Sequence, residues 1–156
     1  MMPGNLETYL HDHLAGAQFA TSLLADMAAQ SYDKELAGFA GNLLEEIESD
    51  EHVVEQILSQ LDAKRSILKD ASAWLAQKVG RAKLQIDDDR FSIFESLELL
   101  SIGILGKLAL WKALLAIAPG NQILQTHDFD ALCARALQQH VQVERWRLAY
   151  AASLIN

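Results

Sequence analysis

A single cysteine, Cys133, and two prolines, Pro3 and Pro119, are all that this chain carries of either residue. One thiol excludes an intrachain disulfide framework and fits a reducing compartment. Flanked by helical apolar positions, Cys133 reads as a buried structural thiol rather than a nucleophile. Both prolines lie outside the periodic stretches, so none breaks a helix interior. β-Branched residues are sparse, whereas alanine, leucine and glutamate abound, a bias towards helix. Phosphate-loop and dinucleotide glycine patterns are absent. No basic-then-apolar leader opens the sequence, so the expected location is cytoplasmic.

With 51% hydrophobic residues in 156, there is enough apolar material for one domain with a sizeable core. The most apolar stretch, Leu99 to Ala118, has the length of a membrane span but contains Lys107 and Lys112. A lysine at a bilayer centre costs about 2.5–3.5 kcal/mol on insertion scales, so this stretch reads as a buried helix and no membrane span is expected. The net charge of −8 argues against nucleic-acid binding. It is unevenly spread. Lys34 is the one base among residues 1–62, whereas Lys64, Arg65, Lys69, Lys78, Arg81 and Lys83 cluster just beyond. Such a basic stretch docks on the acidic part of its own fold or of a partner subunit.

Period and caps give five helical segments. The first, about 6–29, follows Asn5 as N-cap, with Leu6, Leu10, His13, Ala17, Ala20, Leu24 and Met27 recurring at steps of four and three. The second, about 34–61, is capped by Ser31 or Asp33. Its stripe runs from Leu36 to Leu61, with Asp50 and Glu51 flanking the centre and Glu45, Glu48, His52 and Glu55 further round. A third, about 67–84, has an apolar face including Trp74, and Asp87 to Asp89 turn the chain into the fourth. That fourth segment, about 91–118, is apolar almost all round and must be covered on more than one side. Gly103 and Gly106 would admit a neighbouring backbone, and Pro119-Gly120-Asn121 stops the helix. The fifth, about 129–155, is capped by Asp128, and Leu132, Ala136, Leu137, Val143, Leu148 and Ala151 make its stripe. Gly38 and Gly41 read as packing contacts, the three tryptophans as core or interface anchors, and His11, His52 and His127 as exposed.

Two long helices, a connection of nearly thirty residues and two more long helices predict an all-α fold. It is a single domain over 1–156, a four-helix bundle with one long crossover containing an extra short helix. This resembles the ferritin-like architecture. Leu6-Glu7-Thr8-Tyr9-Leu10 through Asp12-His13-Leu14-Ala15-Gly16, the acidic run Glu45 to Glu51, Ala73-Trp74-Leu75-Ala76-Gln77-Lys78 and Gly106-Lys107-Leu108-Ala109-Leu110-Trp111 are similar to a bacterial family of small ferritin-like domains, found alone or joined to DJ-1-like domains. The resemblance implies the bundle fold and, by analogy, a DJ-1-like partner. It implies no particular activity.

Ferritin-like di-iron centres need one carboxylate from each of two helices and a Glu-x-x-His pair from each of the others, because residues three apart reach one metal. This chain has no Glu-x-x-His: Glu46 is followed at that spacing by Ser49, Glu51 by Val54 and Glu144 by Arg147. A non-standard iron or manganese site would have to draw on His13, Glu48, Asp50, Glu51, Glu95, Glu98, His140 and Glu144. The competing reading is a buried polar network of His13, Asp50, Glu51, Glu98, Lys107 and Glu144. In it a carboxylate, from Asp50, Glu51 or Glu98, pairs with Lys107 on its apolar helix, and this fixed cation takes the charge role of a metal. On that reading Glu95 and Glu98 suit the positive end of their helix, and His140 with Glu144 is a helix-surface pair. The expectation favoured by the residues is a non-enzymatic bundle without cofactor that works through association, most simply as a homodimer. The alternative is a metal-binding or metal-dependent oxidoreductase bundle.

Overall fold

The computed structural model describes residues 4–65 and 89–155, residues 63–65 by their backbone alone. The expected helix over 67–84, with Trp74, lies outside the described residues. Four long helices make up most of what is described: α1 (Asn5–Gln30), α2 (Lys34–Arg65), α3 (Arg90–Ile117) and α4 (Phe129–Ala149). Short 3-10 turns follow at Ala118–Gly120, Leu124–Thr126 and Ala151–Leu154, and no strand occurs among the described residues.

Local chemistry sets the helix ends. Gly4, not Asn5, is the N-cap of α1; it offers no side chain, and Asn5 is already helical. The three-residue link Ser31 to Asp33 is self-braced. Ser31 Oγ accepts from the Asp33 amide, and Asp33 Oδ1 accepts from the amides of Glu35 and Leu36 at 3.1 Å each, capping α2. Asp89 caps α3 through the Ser92 amide, and Asp128 caps α4 through the Ala131 amide. Pro119 stops α3, since it lacks the N–H that another helical turn needs. The fifth expected segment stops short: α4 ends at Ala149, and Tyr150 leads into a 3-10 turn.

One end of the bundle fixes its topology. The Tyr150 hydroxyl donates to Asp33 Oδ2 at 2.8 Å, and the Arg90 guanidinium lies 4.7 Å above the Tyr150 ring. The starts of α2 and α3 and the end of α4 therefore share one end. Both α2 and α3 run away from it, so α2 finishes at the end opposite to where α3 begins. At that opposite end Trp111 stacks on Phe129, with ring centroids 6.0 Å apart. α1 packs on α2 and α3 on α4, and the pairs meet through α1–α3 and α2–α4.

The core is leucine-rich: Leu10, Leu14, Leu24, Leu36, Leu97 and Leu114 are essentially sealed, around Trp111 and Phe129. Each such side chain contributes about 1.5–3 kcal/mol on burial. Several sequence expectations need correction. On α4, Leu137 and Leu148 are exposed at 51% and 61%. The inward row is Phe129, Leu132, Ala136, Gln139, Val143, Trp146 and Tyr150, an unbroken three-and-four spacing with Gln139 as its polar member, although Leu132 and Trp146 are only partly buried. His11 is buried and His127 half-buried, not exposed, whereas Cys133 is only half-buried. Glycines 38, 41, 103 and 106 admit no close neighbour, since a Cβ at each would meet nothing within 4 Å.

α3 is the one described helix long and apolar enough to cross a membrane. Its inner side nevertheless carries Leu97, Leu100, Ile104 and Trp111 into the bundle core. Its outer side is bare, with Leu99 49%, Ile102 61%, Leu105 45% and Ile117 48% exposed. The expected cover on that outer side is not found among the described residues.

Candidate functional site

Halfway along the bundle, three helices send charged side chains to one point. Asp50, on the inner stripe of α2, is 2% exposed. The Lys107 ammonium, from α3, donates to Asp50 Oδ2 at 2.6 Å, and the Arg135 guanidinium, from α4, donates to Asp50 Oδ1. One turn beyond Arg135, Gln139 completes the cluster. Its carbonyl accepts from Lys107 Nζ, and its amide donates to Glu46 Oε2 at 2.8 Å. Two cations thus face two carboxylates, Asp50 and Glu46, through one amide that reads both signs.

The electrostatics follow from depth. The Lys107 side chain is 14% exposed. Burial pushes its ammonium below the usual lysine range, and Asp50 opposes that shift. An isolated buried charge costs far more than a surface one, so the cluster is tolerable only because the charges are matched and bonded.

A second polar group lies nearer the end with Tyr150. Ser101 Oγ donates to Glu144 Oε1 at 2.7 Å, and Arg147 Nε donates to Glu144 Oε2 at 2.8 Å. The Ser101 hydroxyl, ahead of Arg147, holds the Glu144 carboxyl below its ordinary range. His140 lies 3.7 Å from Glu144, and Arg147 also reaches Glu98 at 3.2 Å while covering the Phe94 ring.

The expected site residues therefore separate. Asp50 and Lys107 meet directly. Glu98 is not a partner of Lys107; it is exposed and pairs with Arg147. Glu144 belongs to the second group. Glu48 and Glu95 are exposed. His13 is half-buried, its ring edge-on to Tyr9 with centroids 4.7 Å apart, and desolvation lowers its pKa. Glu51 is half-buried, and desolvation, ahead of Glu55, raises its carboxyl above the ordinary range.

His13, Asp50, Glu51 and Lys107 share the wall of a cavity of about 100 Å³ between α1, α2 and α3. The rest of that wall is aliphatic and indole, with Ile47, Val54, Leu100, Ile104 and Trp111 among its members. Gly16 and Gly103 also line it; both are exposed, and a Cβ on either would meet nothing within 4 Å.

These residues do not fit a di-metal centre. Both oxygens of Asp50 are engaged by cations, and no three His, Cys, Asp or Glu side chains converge among the described residues. Arg135, Gln139, Glu46, Ser101 and Arg147 were not singled out from the sequence. Gln139 had a readable signal, because it holds the inward position of the α4 row, and Arg135 lies one turn before it.

No family model, curated protein or solved structure matches this chain.

Proposed function

We propose that this chain is a ferritin-like helical bundle that works through association with a second copy of itself, using the outer side of α3. The observation that carries the reading is the face from Leu99 to Ile117, which nothing covers among the described residues. Over these nineteen residues α3 contains no acid, and its two bases divide: Lys107 turns inward to Asp50, leaving Lys112 on the exposed side. Ile102, Leu105 and Ala109 recur at helical spacing on the outside, each exposed. Contiguous apolar surface of this kind marks interaction sites, and a two-fold axis lets one such stripe cover its copy.

The ferritin-like reading is supported by the shared direction of α2 and α3 and by adjacent helices running antiparallel. Di-metal chemistry is not part of the proposal, because Lys107 and Arg135 hold the central carboxylate. Light scattering on the eluting protein tests the reading. Twice the chain mass is expected for the wild type at micromolar concentration, and the chain mass for Ile102→Asp with Leu105→Asp. A wild-type monomer that binds no hydrophobic dye overturns it.

A further inference from the structure

We propose that the cavity between α1, α2 and α3 is a binding site for a small uncharged organic molecule with an apolar body and one hydrogen-bond acceptor. The inference is independent of the association reading and rests on three features of the wall.

First, the cavity is a built recess. Its volume of about 100 Å³ compares with the roughly 150 Å³ engineered apolar cavity that takes benzene. Where α1 and α3 face each other, the wall uses small residues: Gly16, Ala17 and Ala20 on α1 and Gly103 on α3. Their small size keeps this part of the wall open. Gly16, on α1, is solvent-exposed with open room beside it, which gives a ligand a way in.

Second, one residue of the wall carries a buried polar group without a partner. Trp111 is 0% exposed, yet its indole N–H makes no hydrogen bond. Buried indole N–H groups usually find an acceptor, and a buried donor left alone carries the full cost of desolvation. A ligand oxygen supplies that acceptor.

Third, the two buried charges in the wall, Lys107 and Asp50, are spoken for. Lys107 and Asp50 bond each other, Asp50 also holds Arg135, and Lys107 also holds Gln139. A charged ligand would upset this match: an anion would meet Asp50 and Glu51, and a cation would meet Lys107. An uncharged molecule leaves the match intact and gains the aliphatic contacts of Ile47, Val54, Leu100 and Ile104.

The test is a titration of the full ¹⁵N-labelled chain with cyclopentanone, followed at the Trp111 indole N–H signal. Cyclopentylammonium and cyclopentanecarboxylate serve as charged counterparts. The Trp111 signal is expected to move saturably towards the hydrogen-bonded position with the ketone. Both charged counterparts are expected to bind at least tenfold more weakly. Trp111→Phe should weaken the ketone about tenfold, the factor that one net hydrogen bond supplies. Gly16→Leu and Gly103→Leu, at helix positions with room for the new side chain, should weaken it at least tenfold while leaving the helical circular dichroism unchanged. They keep the proposal falsifiable if Trp111→Phe fails to fold. A non-saturating shift, or equal affinity in both leucine variants, overturns the proposal, as does tighter binding of either charged counterpart.

Discussion

Replacing Asp50 with asparagine keeps the outline of the side chain and removes the anion that Lys107 and Arg135 share. Arg135 loses little, because its side chain is 35% exposed and is able to turn towards water. Lys107 has no such exit at 14% exposure, and the Gln139 carbonyl is its remaining strong acceptor. Stripping the partner from a buried ion costs about 3–5 kcal/mol. The neutral acceptor on asparagine and the relief available to Arg135 place Asp50→Asn near the lower end, at about 3 kcal/mol. For a chain of this length each kcal/mol moves Tm by about 2–4 °C, so the expected drop is roughly 6–12 °C. Lys107→Met should cost less, because Asp50 keeps Arg135. The double variant Asp50→Asn with Lys107→Met should cost clearly less than the two single losses together, with a coupling of roughly 1–3 kcal/mol. Chemical denaturation of the four proteins at pH 7 measures this cycle. A single-variant loss within about 0.5 kcal/mol of zero, as at an ordinary surface site, or strictly additive losses, would refute the reasoning.

Two further predictions follow from the pKa directions. Glu51 carries a raised pKa in the folded chain, so between the ordinary value of 4.5 and the raised one the folded state holds more protons than the unfolded, and stability falls as pH rises through that window. Glu51→Gln removes this loss. It should be more stable than wild type at pH 7, with the gap closing below pH 4.5, and thermal melts across that range that show the wild type ahead at pH 7 would contradict it. Asp33 is shifted the other way, held low chiefly by the Leu36 amide and then by the Tyr150 hydroxyl. Its contribution is therefore present above 3.8 and lost as pH falls through the lowered value. Asp33→Ala should cost about 1–2 kcal/mol in urea titrations at pH 7, the range of a lost N-cap, and progressively less in acid.

The helices were legible in the sequence because their signals are local. Caps at Asp33, Asp89 and Asp128 and the stop at Pro119 place most boundaries within a residue or two. Long-range pairing was less legible. Asp50, Glu51 and Glu98 were all candidate partners for Lys107; the rotation of α2 against α3 places Asp50 rather than Glu51 on the inner line, and Glu98, nine residues before Lys107 on the same helix, points to the opposite side. The α4 stripe was misread because Leu137 and Leu148 are apolar, whereas the inward position between Ala136 and Val143 belongs to Gln139. A polar residue keeps that position when its amide satisfies both Lys107 and Glu46 across the helices. Gly103 and Gly106 of α3 looked like sites of close helix approach. Nothing in one sequence distinguishes a glycine that admits a backbone from one that leaves a cavity.

The central claim is that the bundle interior balances its charge with Lys107 and Arg135 rather than with an ion. Metal analysis of protein purified from cells grown with added iron and manganese tests it most directly. The account predicts well under one ion per chain, unchanged in Asp50→Asn. One or two tightly held transition-metal ions per chain, lost in Asp50→Asn, would contradict it.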